Sequence, residues 1–125
     1  MKILLVDDDK FLSRVLEKKL SYEGFEVITA IDGDEALEKV ITEKPDLILL
    51  DIILPKKGGF VILENIKKDP ELKQLPVLII SNLGQEEDVK KGLSLGAAEY
   101  FVKAKVSIDD IIKKVKEYAK DKVTN

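Results

Sequence analysis

The 125-residue chain contains no cysteine and no histidine. Without thiols there is neither a disulfide framework nor a thiolate metal site, and without imidazole there is no histidine ligand or general base. Any chemistry falls to carboxylates, lysines and hydroxyls. No apolar run approaches the roughly 20 residues that cross a bilayer, so membrane insertion is not expected. A charge excess of one sign is missing as well: 21 Lys and Arg stand among 24 Asp and Glu, for a net charge of −3. That balance leaves no basic footprint for a phosphate backbone, and direct nucleic-acid binding by this chain is disfavoured. Met1-Lys2-Ile3 leads straight into an apolar run, with none of the regions of a secretory signal, which predicts a cytoplasmic address. The length suits one domain with one core, expected over residues 1–121 and followed by a polar tail or linker stub at 122–125.

What the chain does have is alternation. The apolar run Ile3-Leu4-Leu5-Val6 reads as a buried strand, and Leu12, Val15, Leu16 and Leu20 recur at helical spacing behind a capping Asp9, with Gly24 as the stop. Glu26 to Ala30 is a second strand. Asp32-Gly33-Asp34-Glu35 then caps a helix carrying Ala36, Leu37, Val40 and Ile41, which ends near Pro45. Leu47 to Leu50 form the third strand, and Phe60, Leu63 and Ile66 outline a helix closed by Asp69-Pro70. Val77 to Ile80 form the fourth strand, ending at Ser81. The helix from Gln85 to Leu95 has only Val89, Leu93 and Leu95 as apolar anchors and is weakened further by Gly92. Tyr100-Phe101-Val102 is the last strand, and Ser107 with Asp110 caps a helix whose Ile108, Ile111, Ile112 and Val115 share one face. Five strand–helix units of this kind demand a parallel sheet covered by helices on both faces.

In such a sheet the strand ends share one edge, where open α/β folds bind ligands. That edge would gather Asp7 and Asp8, Asp51, Ser81 and Lys103. Clustered carboxylates repel one another until something neutralises them, and a hard divalent cation such as Mg²⁺, with its preference for oxygen ligands, is suited to that task. The site therefore points to phosphate chemistry.

Ile-Leu-Leu-Val-Asp-Asp-Asp at 3–9, Leu-Asp-Ile-Ile-Leu-Pro at 50–55, Ser81, and Gly-Ala-Ala-Glu-Tyr-Phe-Val-Lys at 96–103 together resemble the response-regulator receiver domain of two-component signalling, over nearly the whole chain. The resemblance implies a flavodoxin-like (βα)5 sandwich with strand order 2-1-3-4-5 and a signalling switch rather than an enzyme. Asp51 would be the phosphoacceptor. Asp8 would be the main carboxylate ligand of Mg²⁺, Asp7 would act directly or through water, and Ile53 would lend its backbone carbonyl. Lys103 and the Ser81 hydroxyl would hold phosphoryl oxygens, and Tyr100 would rotate inward to repack the face made by the fourth helix, fifth strand and fifth helix. With no histidine here, the implied phosphodonor is a sensor histidine kinase or phosphotransfer protein, and the reader is a downstream protein or an effector domain outside this chain.

Three positions depart from the family pattern: Ala104 stands where proline usually follows the lysine, Asn82 where a small residue follows the hydroxyl, and Gly58-Gly59 in place of Asp-Gly. A trans Lys103-Ala104 bond is expected. Lys56 and Lys57 read as solvated loop charges. Three rivals remain beside this reading. One is a haloacid dehalogenase-type phosphatase with Asp7 as nucleophile and Asp9 as its partner. A second, a flavin carrier, conflicts with the acidic first loop. The third is a receiver-like interaction module that works without phosphorylation.

Overall fold

The computed structural model describes residues 1–124, with side chains described through Lys120. Its elements alternate strictly: β1 (Lys2–Val6), α1 (Lys10–Tyr22), β2 (Glu26–Ala30), α2 (Gly33–Glu43), β3 (Leu47–Leu50), α3 (Gly59–Lys68), β4 (Val77–Ser81), α4 (Glu86–Ser94), β5 (Glu99–Val102) and α5 (Ile108–Thr124). All pairings are parallel, in the expected order β2-β1-β3-β4-β5. The proposed boundary after 121 and the polar tail at 122–125 fall outside the residues whose side chains are described.

The central strands read as unbroken apolar runs because both of their faces are covered. Leu4, Val6, Ile48, Leu50, Val77 and Ile79 pack with Ala36 and Val40 of α2 and with Ile62, Leu63 and Ile66 of α3. The alternate residues Ile3, Leu5, Leu47, Leu49, Leu78 and Ile80 face the other way, onto Leu16 and Leu20 of α1 and Ile111, Ile112 and Val115 of α5. Each fully buried Leu or Ile contributes about 1.5–3 kcal/mol, so a one-residue slip of β1 or β3 would exchange the two cores at great cost.

Local signals set the helix ends. The Asp9 carboxylate accepts from the Phe11 and Leu12 amides at 3.1 and 3.2 Å. Ser107 and Asp110 form a reciprocal cap at the start of α5. Gly24 and Gly96 adopt the left-handed conformations that end α1 and α4. Helix α2 stops one residue before Pro45, with Lys44 itself left-handed. There is no cis peptide bond among the described residues, so Lys103-Ala104 is trans.

One expectation needs correction. Leu93 does not anchor α4; it is 47% exposed, and the one buried residue of that helix is Gly92. A Cβ at Gly92 would stand 2.8 Å from both Ile79 Cδ1 and Tyr100 Cδ2, so α4 approaches the sheet through its bare backbone and Leu93, a third of a turn further, rotates out to solvent. Lys56 and Lys57 are exposed loop charges, as expected, and their ammonium groups also stand 3.7 Å from Asp32 and 3.5 Å from Asp34, because the loop after β3 lies against the start of α2.

Candidate functional site at the carboxyl edge

Strand pairing brings the acidic residues together. Val6 and Leu50 are register partners on neighbouring strands, and the Asp51 amide continues the ladder to the Val6 carbonyl at 2.9 Å. Asp7 and Asp51 therefore leave the sheet side by side, and carboxylate oxygens of Asp7, Asp8 and Asp51 all lie within 4.8 Å of one another. Asp7 and Asp51 are buried, at 3% and 5% exposure, while Asp8 faces solvent. Beyond β5, which pairs with β4, Lys103 reaches back across the edge. Its Nζ lies 3.0 Å from Asp51 Oδ2 and 3.2 Å from Asp7 Oδ2.

The electrostatics follow from crowding. Burial, together with the neighbouring Asp51 charge, pushes the Asp7 carboxyl up to about 6, against the Asp9 amide that donates to Asp7 Oδ1 at 2.9 Å and against Lys103. Burial disfavours the charged Lys103, but hydrogen bonds and Coulomb attraction from Asp51 and Asp7 outweigh it and hold the ammonium above its ordinary value. Three carboxylates against one ammonium leave two uncompensated negative charges, with oxygen donors on two converging strand ends. This donor set fits a hard divalent cation, which would supply charge neutralisation at the Asp51 oxygens.

Ile53 sits on the turn beyond Asp51, donating its amide to Asp51 Oδ1 at 3.2 Å while its side chain is 54% exposed. Ser81, fully buried at the end of β4, accepts at Oγ from the Leu83 amide at 3.2 Å, and its carbonyl receives the Lys103 amide at 2.9 Å. Tyr100 is turned inward in this structure. Its hydroxyl donates to the Leu83 carbonyl at 2.6 Å, and burial and the Asp88 charge push the phenol upward against a hydrogen bond with Ser81. The Leu83 carbonyl was not legible beforehand as the acceptor for Tyr100, since a backbone atom leaves no sequence signal. Asp9, which the phosphatase reading needs as a second catalytic carboxylate, is occupied as the α1 cap.

A doubly covered parallel sheet with buried acids and a paired lysine at its carboxyl edge defines an α/β domain with an acidic ligand site, and comparison with known proteins narrows it. The response regulator receiver domain family matches residues 3–116, and the chain belongs to that family and to two-component signalling. It is 42% identical over 102 residues to the alkaline phosphatase synthesis transcriptional regulatory protein PhoP of Bacillus subtilis, covering 82% of this chain and 42% of that protein. The Francisella response regulator 1452 receiver domain superposes with a TM-score of 0.89 at 32% identity, covering 97% of this chain and 98% of that one. The Mn²⁺-bound form of response regulator Rcp1 matches with a TM-score of 0.79 at 35% identity, over 91% of this chain and 88% of that one. The aligned part is about two fifths of the length of the first curated relatives. No helix among the described residues is long and apolar enough to cross a membrane.

Proposed function

We propose that Asp51 accepts a phosphoryl group from a phosphohistidine on a sensor histidine kinase or phosphotransfer protein, and that the resulting charge switches the α4-β5-α5 face for a partner. The observation that supports this best is the Lys103 ammonium seated between Asp51 and Asp7 within hydrogen-bond distance of both. An Asp51 oxygen attacks phosphorus, the P–N bond breaks, and the departing imidazole keeps the electron pair and takes up a proton. A carboxylate meets an anionic phosphoryl group only when positive charge offsets their repulsion and the reacting atoms are held in line. Asp8, Asp7, Asp51 and the Ile53 carbonyl are the proposed holders of Mg²⁺ for that purpose.

Lys103 then exchanges its Asp51 contact for a phosphoryl oxygen, and the Ser81 hydroxyl donates to another. The phosphoryl group carries roughly −1.5 to −2 charge and replaces the single charge of the Asp51 carboxylate, so about one negative charge is gained at that point. Ser81, Leu83 and Tyr100 are already linked by hydrogen bonds, which gives a pull on Ser81 a route to β5, and Tyr100 packs against Gly92 of α4. A downstream protein or an effector domain must prefer the phosphorylated arrangement, since equal affinity for both states shifts nothing. In this reading the domain is a cytoplasmic switch spanning 1–121 that assists its own phosphorylation and dephosphorylation without acting on a separate substrate, and it does not itself contact nucleic acid.

The test is to incubate the protein with Mg²⁺ and acetyl phosphate and map the acyl phosphate by mass spectrometry. Modification at Asp51, absent in Asp51→Asn and slowed in Asp7→Asn, is expected. Modification at Asp7, or none with partner binding intact, would overturn it in favour of a phosphatase or a phosphorylation-independent module respectively.

A further inference from the structure

The loop from Asp51 to Gly58 carries both the proposed phosphoacceptor and the Ile53 peptide, and two glycine backbones grip it. On one flank Gly59, the first residue of α3, donates its amide to the Ile52 carbonyl at 2.8 Å; a Cβ there would meet the Asp51 carbonyl oxygen at 2.4 Å and Ile52 Cα at 2.6 Å. On the other flank stands Gly33, buried at the first position of α2, with its amide donating to the Pro55 carbonyl at 3.3 Å. A Cβ on Gly33 would fall 2.4 Å from the Lys57 carbonyl oxygen, 2.5 Å from Lys57 Cβ and 2.9 Å from Lys57 Cα. Those are backbone and near-backbone atoms that cannot rotate away. Neither glycine has a positive φ, so both are needed for space rather than for conformational freedom. The Lys56–Asp32 and Lys57–Asp34 pairs flank the Gly33 contact.

We infer that Gly33, on a helix that gives no side chain to the acidic site, is a positioning residue for it: its bare Cα lets the start of α2 set the 51–58 loop that presents Asp51 and the Ile53 peptide. This rests on the phosphoacceptor reading. Packed backbone transmits displacement because it has no soft rotamer to absorb it. Misplacing reacting groups by about 1 Å costs on the order of 10²-fold in rate. The exposed ion pairs are secondary, since such pairs contribute little.

The test measures Mg²⁺ affinity by calorimetry and the rate of Asp51 labelling by acetyl phosphate at saturating Mg²⁺, in the unaltered chain, Gly33→Ala and Asp34→Ala. Gly33→Ala should weaken Mg²⁺ binding by about tenfold and slow labelling by about ten- to a hundredfold, with its circular dichroism unchanged. Asp34→Ala, which removes an ion pair at the same place without adding a Cβ, should change either by less than about twofold. Hydrogen exchange on the unaltered chain serves even if Gly33→Ala does not fold: adding Mg²⁺ with beryllium fluoride should raise protection of the Gly33 amide. A folded Gly33→Ala protein with ordinary Mg²⁺ affinity and labelling, or a Gly33 amide indifferent to loading, overturns the inference. Failure of the unaltered chain to be labelled at Asp51 would instead overturn the reading beneath it.

Discussion

Replacing Asp7 by asparagine should stabilise the metal-free protein while weakening its hold on a divalent ion. The Asp7 carboxyl is raised from 3.8 to about 6, chiefly by burial and then by the Asp51 charge. At about 1.4 kcal/mol per unit, ionising it in the fold at neutral pH costs on the order of 3 kcal/mol relative to the unfolded chain. The sign follows from the direction: the folded state holds this proton more tightly, so the Asp7 contribution to stability is greatest below the unfolded value, declines as pH rises from about 4 to about 6, and is flat above. Asparagine removes that penalty, which is already net of the attraction to Lys103 3.2 Å away, and still offers an acceptor to the Asp9 amide, but it buries an amide NH2 that must be desolvated. The net gain above pH 7 should be about 1–2 kcal/mol, or about 3–8 °C in Tm for a domain of this size. Urea denaturation in EDTA at several pH values measures it. The advantage of Asp7→Asn should grow between about pH 4 and 6, and millimolar Mg²⁺ should stabilise the unaltered protein more than the variant. An Asp7→Asn protein no more stable at pH 7.5, or an advantage that does not vary with pH, would refute the electrostatic account.

Two further outcomes concern the inward tyrosine. Tyr100→Phe deletes the 2.6 Å bond to the Leu83 carbonyl and should cost about 0.5–1.5 kcal/mol by denaturant titration, while leaving Mg²⁺ affinity within about twofold. Gly92→Ala gains about 1 kcal/mol of helix propensity but thrusts a methyl to 2.8 Å from Tyr100 and Ile79, an overpacking worth about 1–3 kcal/mol. A crystal structure should show Tyr100 displaced and its bond to Leu83 broken. In the double variant the two costs should fall short of additive, because they act on one contact.

Much of the architecture was legible in linear order. Apolar runs of four or five residues ending in Asp or Ser, helical spacings behind Asp9, Asp32 and Ser107, and Gly24 and Gly96 as stops are local signals, and each is realised where it was expected. The receiver resemblance extended the reading to the sheet order and to Asp7, Asp8, Asp51 and Lys103 as neighbours. The misreading of α4 has a physical cause. Leu93 looked like an anchor and Gly92 like a weakness because hydrophobicity was taken to mark the contact, whereas α4 meets the sheet through backbone. The ion pairs of Lys56 and Lys57 were not legible because their partners, Asp32 and Asp34, lie at the start of α2, more than twenty residues earlier.

By itself, then, the chain's order of residues determined which segments are strands and which are helices, which faces are apolar, and which side chains stand at strand ends, since periodicity and capping are short-range properties. Only the folded arrangement decided the distances: Lys103 between two buried carboxylates, Tyr100 turned onto Leu83, and Gly33 pressed against Lys57. These depend on how closely non-adjacent backbones approach, and that is set by the packing of the whole sheet and its helices rather than by any local pattern.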